Sequence, residues 1–216
     1  MLKTLTCGLV ALMPIAAGVA CRTAAAGPGP QIVQPGAPGE PSHVIAPDKA
    51  VDLSKVQFTT ADVKFMQGMI GHHEQAIEMT DLLATRTASE NMRKLAQRID
   101  LSQADEIKMM RRWLETRGQE IPGPHALHMH GATLMPGMLT QEEMDRLAGS
   151  RGAEFDRLFL QGMIKHHAGA LTMVEELFSS PGAAQESEIF GFASDVDADQ
   201  RMEIDRMGAM LKELPR

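Results

Sequence analysis

Thiols are almost missing from this chain: of 216 residues only Cys7 and Cys21 are cysteines, and both lie near the N-terminus. Beyond them no disulfide, zinc-thiolate centre or cysteine nucleophile can form. Tyrosine is absent and aromatic residues total 4%. Lys and Arg form no run, and a net charge of −7 with a pI near 5.6 argues against nucleic acid as a partner. The apolar stretch from Leu9 to Val19, interrupted by Pro14, is too short for a transmembrane helix.

That stretch instead reads as the centre of an export signal over residues 1–21, with Lys3 ahead of it and Gly18-Val19-Ala20-Cys21 behind. Two processing sites compete. Val19-Ala20-Cys21 resembles a lipobox, whose cysteine becomes the lipidated first residue, although Gly18 stands where Leu is usual. Ala24-Ala25-Ala26 would serve an ordinary signal peptidase. Residues 22–57 form a segment rich in Pro, Gly and Ala, which buries too little to fold and is expected to be a flexible tether. A tether directly after a cysteine favours the lipoprotein reading. The expected location is the bacterial cell envelope, either periplasmic or held to a membrane by a lipid anchor only.

From residue 58 to 216 the apolar residues follow the helical period, and no segment alternates as a half-buried strand does. The pattern predicts an all-α domain. A first helix runs from Thr60, which offers its hydroxyl as a cap, to about Arg86, and a second from Glu90 to Arg117, closed by Gly118 and Pro122-Gly123-Pro124. Thr140 and Glu143 form a capping-box pattern for a short helix to Leu147. A third long helix covers Ala153 to Phe178, and a fourth Gln185 to Leu214.

Histidine and methionine carry the chemistry, with eight and seventeen copies. Gly68-Met69-Ile70-Gly71-His72-His73 returns as Gly162-Met163-Ile164-Lys165-His166-His167, an offset of 94 that also matches Asp62, Phe65, Ala76 and Met79 to Asp156, Phe159, Ala170 and Met173. The following helices repeat at an offset of 97, which pairs Gln103, Glu106, Ile107 and Met110 with Gln200, Glu203, Ile204 and Met207. The unit is therefore a helical hairpin of roughly fifty residues present twice, and two such hairpins pack as a four-helix bundle.

At about 100° per residue, His73 falls near +40°, His72 near −60° and Met79 near −80° from Met69, so both rings flank one inward face beside sulfur. A histidine on such a face is commonly a satisfied core residue, and methionine is an adaptable core filler. A pair of histidines recurring with the same methionines asks for more. Imidazole and thioether together suit copper, above all Cu(I) or the similar Ag(I), and Cu(II) remains open. The expected ligands are Met69, His72, His73 and Met79 with Met163, His166, His167 and Met173. Glu106 and Glu203, the other repeated polar pair, are expected behind them, each orienting a histidine. His125, His128, His130, Met135 and Met138 lie together in a Pro/Gly-rich segment and form a third, looser group of candidates.

The pattern Phe65, Gly68-Met69-Ile70, His72-His73, Ala76, Met79, followed by Gln103, Glu106-Ile107 and Met110, resembles a family of bacterial extracytoplasmic proteins. That family is known as a domain of unknown function with a ferritin-like bundle and includes the CopM-like copper-binding proteins. The resemblance spans about residues 58–214. It implies a ferritin-like four-helix bundle that binds copper or silver through Met and His.

The resulting expectation is a metal-binding protein rather than an enzyme, serving buffering, resistance or transfer, with a copper-handling protein as a candidate partner. A structural or interaction bundle is the alternative. A di-metal oxidase would need Glu three residues before a liganding His. Met69, Ile70, Met163 and Ile164 occupy those positions.

Overall fold

The computed structural model describes residues 32–34, 41–47, 56–123 and 134–215. The chain divides into two compact units, Met1–Ser54 and Lys55–Arg216. In the first, β1 (Ile32–Gln34) pairs antiparallel with β2 (His43–Ile45), Val33 opposite Val44. The expectation of a tether without secondary structure is corrected to that extent: β-branched Ile32, Val33, Val44 and Ile45 favour extended backbone. The pairing is local, since Ile32, Val33 and Val44 stay exposed. The signal segment and tether residues 22–31, 35–40 and 48–55 lie outside the described residues.

The second unit is all-α: α1 (Thr60–Asp81), α2 (Leu83–Arg86), α3 (Glu90–Thr116), α4 (Gln141–Gly149), α5 (Gly152–Ser179) and α6 (Ser187–Glu213). The four long helices, α1, α3, α5 and α6, make the bundle. Among the described residues no helix is long and apolar enough to cross a membrane.

Capping chemistry sets the boundaries and shifts some of those expected. Thr59, not Thr60, caps α1, because a capping box needs partners three residues apart: its hydroxyl accepts from the Asp62 amide at 3.3 Å while Asp62 accepts the Thr59 amide at 2.6 Å. Asp62 Oδ1 also accepts the Ala184 amide at 2.7 Å, pinning the loop before α6. The Asp62/Asp156 identity in the repeat thus has a structural role on the Asp62 side. The first helix stops at Asp81 and resumes as the single turn α2, rather than running unbroken to Arg86. The α4 capping box of Thr140 and Glu143 forms as the spacing predicts.

Helix α1 pairs antiparallel with α3. Arg111 donates to Glu74 at 3.1 Å, and Gln67 to the carbonyl of Glu120 just past the end of α3 at 2.8 Å, so residues rising along α1 meet residues falling along α3. α5 and α6 form the equivalent hairpin. α1 and α5 cross antiparallel at the centre, each laying a methionine on the other's motif glycine: a Cβ on Gly68 would lie 3.4 Å from Met173 Cε, and one on Gly162 3.3 Å from Met79 Cε. Their residues are consequently buried on more than one side, which a simple amphipathic stripe does not anticipate.

Two apolar clusters fill the bundle. One gathers Phe65, Met69, Met110, Trp113, Met173 and Phe192, the other Met79, Leu95, Ile99, Phe159, Met163 and Met207.

Candidate metal centre

His72, His73, His166 and His167 are all fully buried. Each ring is held through Nε2. His73 meets Glu106 Oε2 at 2.6 Å and His167 meets Glu203 Oε2 at 2.7 Å. His166 reaches the backbone carbonyl of His72 at 2.9 Å, and His72 reaches that of Pro136 at 3.0 Å. A carbonyl oxygen or a carboxylate only accepts, so every Nε2 carries the proton and donates. All four Nδ1 atoms are buried with no hydrogen-bond partner, and in a neutral ring protonated at Nε2 that atom is a bare lone pair.

Electrostatics keep the central rings neutral. Burial, with the nearby His73 and His167 adding to it, pushes His72 down to about 3, against the partial support of the Pro136 carbonyl. Burial and the neighbouring rings push His166 well below its ordinary value too. His72 and His166 meet with centroids 3.8 Å apart and planes tilted by 36°, a contact that two imidazolium ions would oppose. For Glu106, burial works to raise the carboxyl, but bonds from His73 and Ser102 outweigh it and hold it below the usual carboxylate range.

The backbone segment 134–140 completes the layer. Gln75 grips it from both sides: its Nε2 donates to the Leu139 carbonyl at 2.9 Å and its Oε1 accepts the Leu139 amide at 2.7 Å. On α5 the position equivalent to Gln75 is Gly169, and there the segment rests directly on the helix. A Cβ on Gly169 would collide with the Pro136 carbonyl, and Gly137 turns with φ +74° against Lys165 and Gly169. That contact brings the Pro136 carbonyl to His72.

The expected methionines do not form one group with all the rings. Met69 and Met173 belong to one apolar cluster, with Met135 packed against it, and Met79 and Met163 belong to the other. Each cluster draws one methionine from each repeat. Met110 joins the first and Met207 the second, a repeated pair that the sequence already displayed but that was not counted among the ligands. Met138 is buried. Met135 and Met138 are thus packed parts of the bundle, not members of a loose loop as expected. The remaining loop candidates, His125, His128 and His130, lie outside the described residues.

Among the described residues no three His, Asp or Glu side chains are grouped to cage an ion. The buried methionines offer sulfur beside this nitrogen, and a donor set of neutral imidazole and thioether suits a soft monovalent metal.

Four buried imidazoles, two of them backed by carboxylates, thus share a duplicated four-helix bundle with buried methionines. Residues 62–211 match the model of the family described as domain of unknown function DUF305, and the chain belongs to that family. It is similar to a putative secreted DUF305 protein from Streptomyces coelicolor, at 30% identity over 71% of this chain and 93% of the other, TM-score 0.61. A DUF305 fragment from Deinococcus radiodurans is 29% identical over 73% and 99%, TM-score 0.63. CopM in its Cu(I)-bound form is 27% identical over 73% and 98%, TM-score 0.57, and CopM has also been solved bound to Cu(II) and to Ag. None of the curated proteins matches the chain.

Proposed function

We propose that the protein binds copper or silver in its buried histidine–methionine layer and serves the cell envelope in metal buffering, resistance or transfer, without catalysis. The observation that carries this reading is the set of four buried, unpartnered Nδ1 atoms, each ring fixed in place by an acceptor on its Nε2. Unsatisfied buried polar atoms are costly, and four of one kind in one layer suit a ligand that supplies no proton. Metal bound by CopM, and the similarity to a putative secreted protein of Streptomyces coelicolor, support the same reading.

On this reading Met69, Met79, Met163 and Met173 supply sulfur, Glu106 and Glu203 orient His73 and His167, and a copper-handling protein would exchange the metal. A structural bundle is the competing function. Anaerobic Cu(I) titration against a chromophoric competitor separates them, on the wild type and on the variant with His72, His73, His166 and His167 all changed to Ala. Tight binding by the wild type and its loss in the variant are expected; equal affinity in both would refute the proposal.

A further inference from the structure

One repeated pair of buried polar groups has no task in the layer as described. Gln103 of α3 is 2% exposed, and neither its Oε1 nor its Nε2 has a partner. Gln200 of α6 is 3% exposed, and its Oε1 is unpartnered too. The two occupy the same position of the repeat. An unsatisfied buried amide destabilises a fold where a leucine of similar size would not, so its presence in both copies calls for a ligand.

Their placement points to which ligand. Gln103 stands one turn before Glu106 on the same face of α3. Because α3 runs antiparallel to α1, with Glu106 on His73, Gln103 is level with Ala76. Gln200, one turn before Glu203, is level with Ala170 in the same way. Both alanines are fully buried. Each buried amide therefore stands about one helical turn, ~5 Å along the helix axis, from the level of a motif histidine.

Imidazole and thioether satisfy Cu(I) or Ag(I), whereas Cu(II) takes additional nitrogen or oxygen donors in a tetragonal arrangement. Glu106 and Glu203 are already engaged by histidines. We propose that Gln103 and Gln200 are ligands selective for oxidation state: their Oε1 atoms bind Cu(II) together with histidine Nδ1 atoms, and they take no part in holding Cu(I) or Ag(I). The inference rests on the reading that this layer binds copper. It makes the site competent for both states through different donors on one set of rings.

The test compares wild type with Gln103→Leu/Gln200→Leu, using Cu(II) titration with electron paramagnetic resonance alongside anaerobic Ag(I) titration. Expected are a Cu(II) affinity reduced about tenfold or more, a changed Cu(II) hyperfine pattern, an unchanged Ag(I) affinity and a metal-free melting temperature that does not fall. Unchanged Cu(II) binding, or equal losses for both metals, overturns the proposal. Gln103→Met/Gln200→Met, which preserves volume, repeats the comparison if the leucine variant does not fold. If neither variant folds, the amides serve the structure rather than a metal, and the proposal fails. A wild type that binds neither Ag(I) nor Cu(I) overturns the copper reading itself. A wild type that binds them, with variants that match it for Cu(II), overturns this inference alone.

Discussion

Changing Glu106 to Ala removes the acceptor that sets the tautomer of His73. The bond is short, 2.6 Å, and joins a fully buried ring to a carboxylate whose side chain is 21% exposed. Hydrogen bonds to a charged group contribute about 1.5–3 kcal/mol, and here the loss also leaves a donor buried without a partner. In a domain of this size each 1 kcal/mol moves the melting temperature by about 2–4 °C, so a fall of the order of 5 °C in the metal-free protein is expected.

The effect on metal binding is separate. Without Glu106 the proton can move to Nδ1 and the ring can rotate, and losing such an outer partner costs about 10–100-fold in affinity. Glu106→Gln keeps the size and one acceptor oxygen but brings competing amide donors, and should fall between wild type and alanine. Glu203→Ala should act on His167 in the same way. Calorimetric melting of the metal-free protein and anaerobic Cu(I) competition read the two effects independently. A Glu106→Ala protein that melts lower yet binds Cu(I) as tightly as wild type would show a purely structural carboxylate and refute the reasoning.

Three further outcomes are expected. Gly169→Ala drives a Cβ into the Pro136 carbonyl; overpacking of this kind costs about 1–3 kcal/mol, and thermal unfolding should show the loss while Gly191→Ala, with open space around it, shows none. The metal-free protein should lose stability as pH falls below 6.5: an unfolded His72 takes up a proton near that value and the folded one only near 3. The unfolded state then binds more protons across that window, giving up to about 1.4 kcal/mol per pH unit from this ring, and a denaturant midpoint that is flat from pH 7 to pH 4 would contradict it. Changing His125, His128 and His130 to Ala should slow metal uptake in stopped-flow experiments yet preserve the tightest binding; loss of the tight site would make that segment part of the primary centre.

The bundle was legible because its signals are redundant. Helical periodicity, capping residues and an offset repeat of about a hundred residues all pointed to paired hairpins. Boundaries erred where neighbours compete, as Thr59 and Thr60 do for the cap. Pairing of Glu106 with His73 and of Glu203 with His167 could be anticipated because both carboxylates repeat beside inward-facing residues. The division of the methionines between two clusters could not, since it depends on how α1 crosses α5, and a helical wheel contains only one helix. Nor could the paired short strands in the Pro/Gly-rich segment be read from two pairs of β-branched residues separated by ten others.

The repeat also concealed a difference between its halves. Gln75 and Gly169 occupy equivalent positions, and sequence comparison records them merely as a mismatch. In the fold, both receive the single segment 134–140 by opposite means, one by a two-pronged amide and the other by having no side chain at all. Duplication supplies two equivalent histidine pairs, but one connecting segment cannot serve both alike. His166 therefore donates to α1, at the His72 carbonyl, whereas His72 donates to the connecting segment at Pro136. Nearly identical motifs thus acquire unlike supports. Any shift of that segment acts first on His72, and through the close ring contact on His166, before it reaches the two histidines anchored by glutamate.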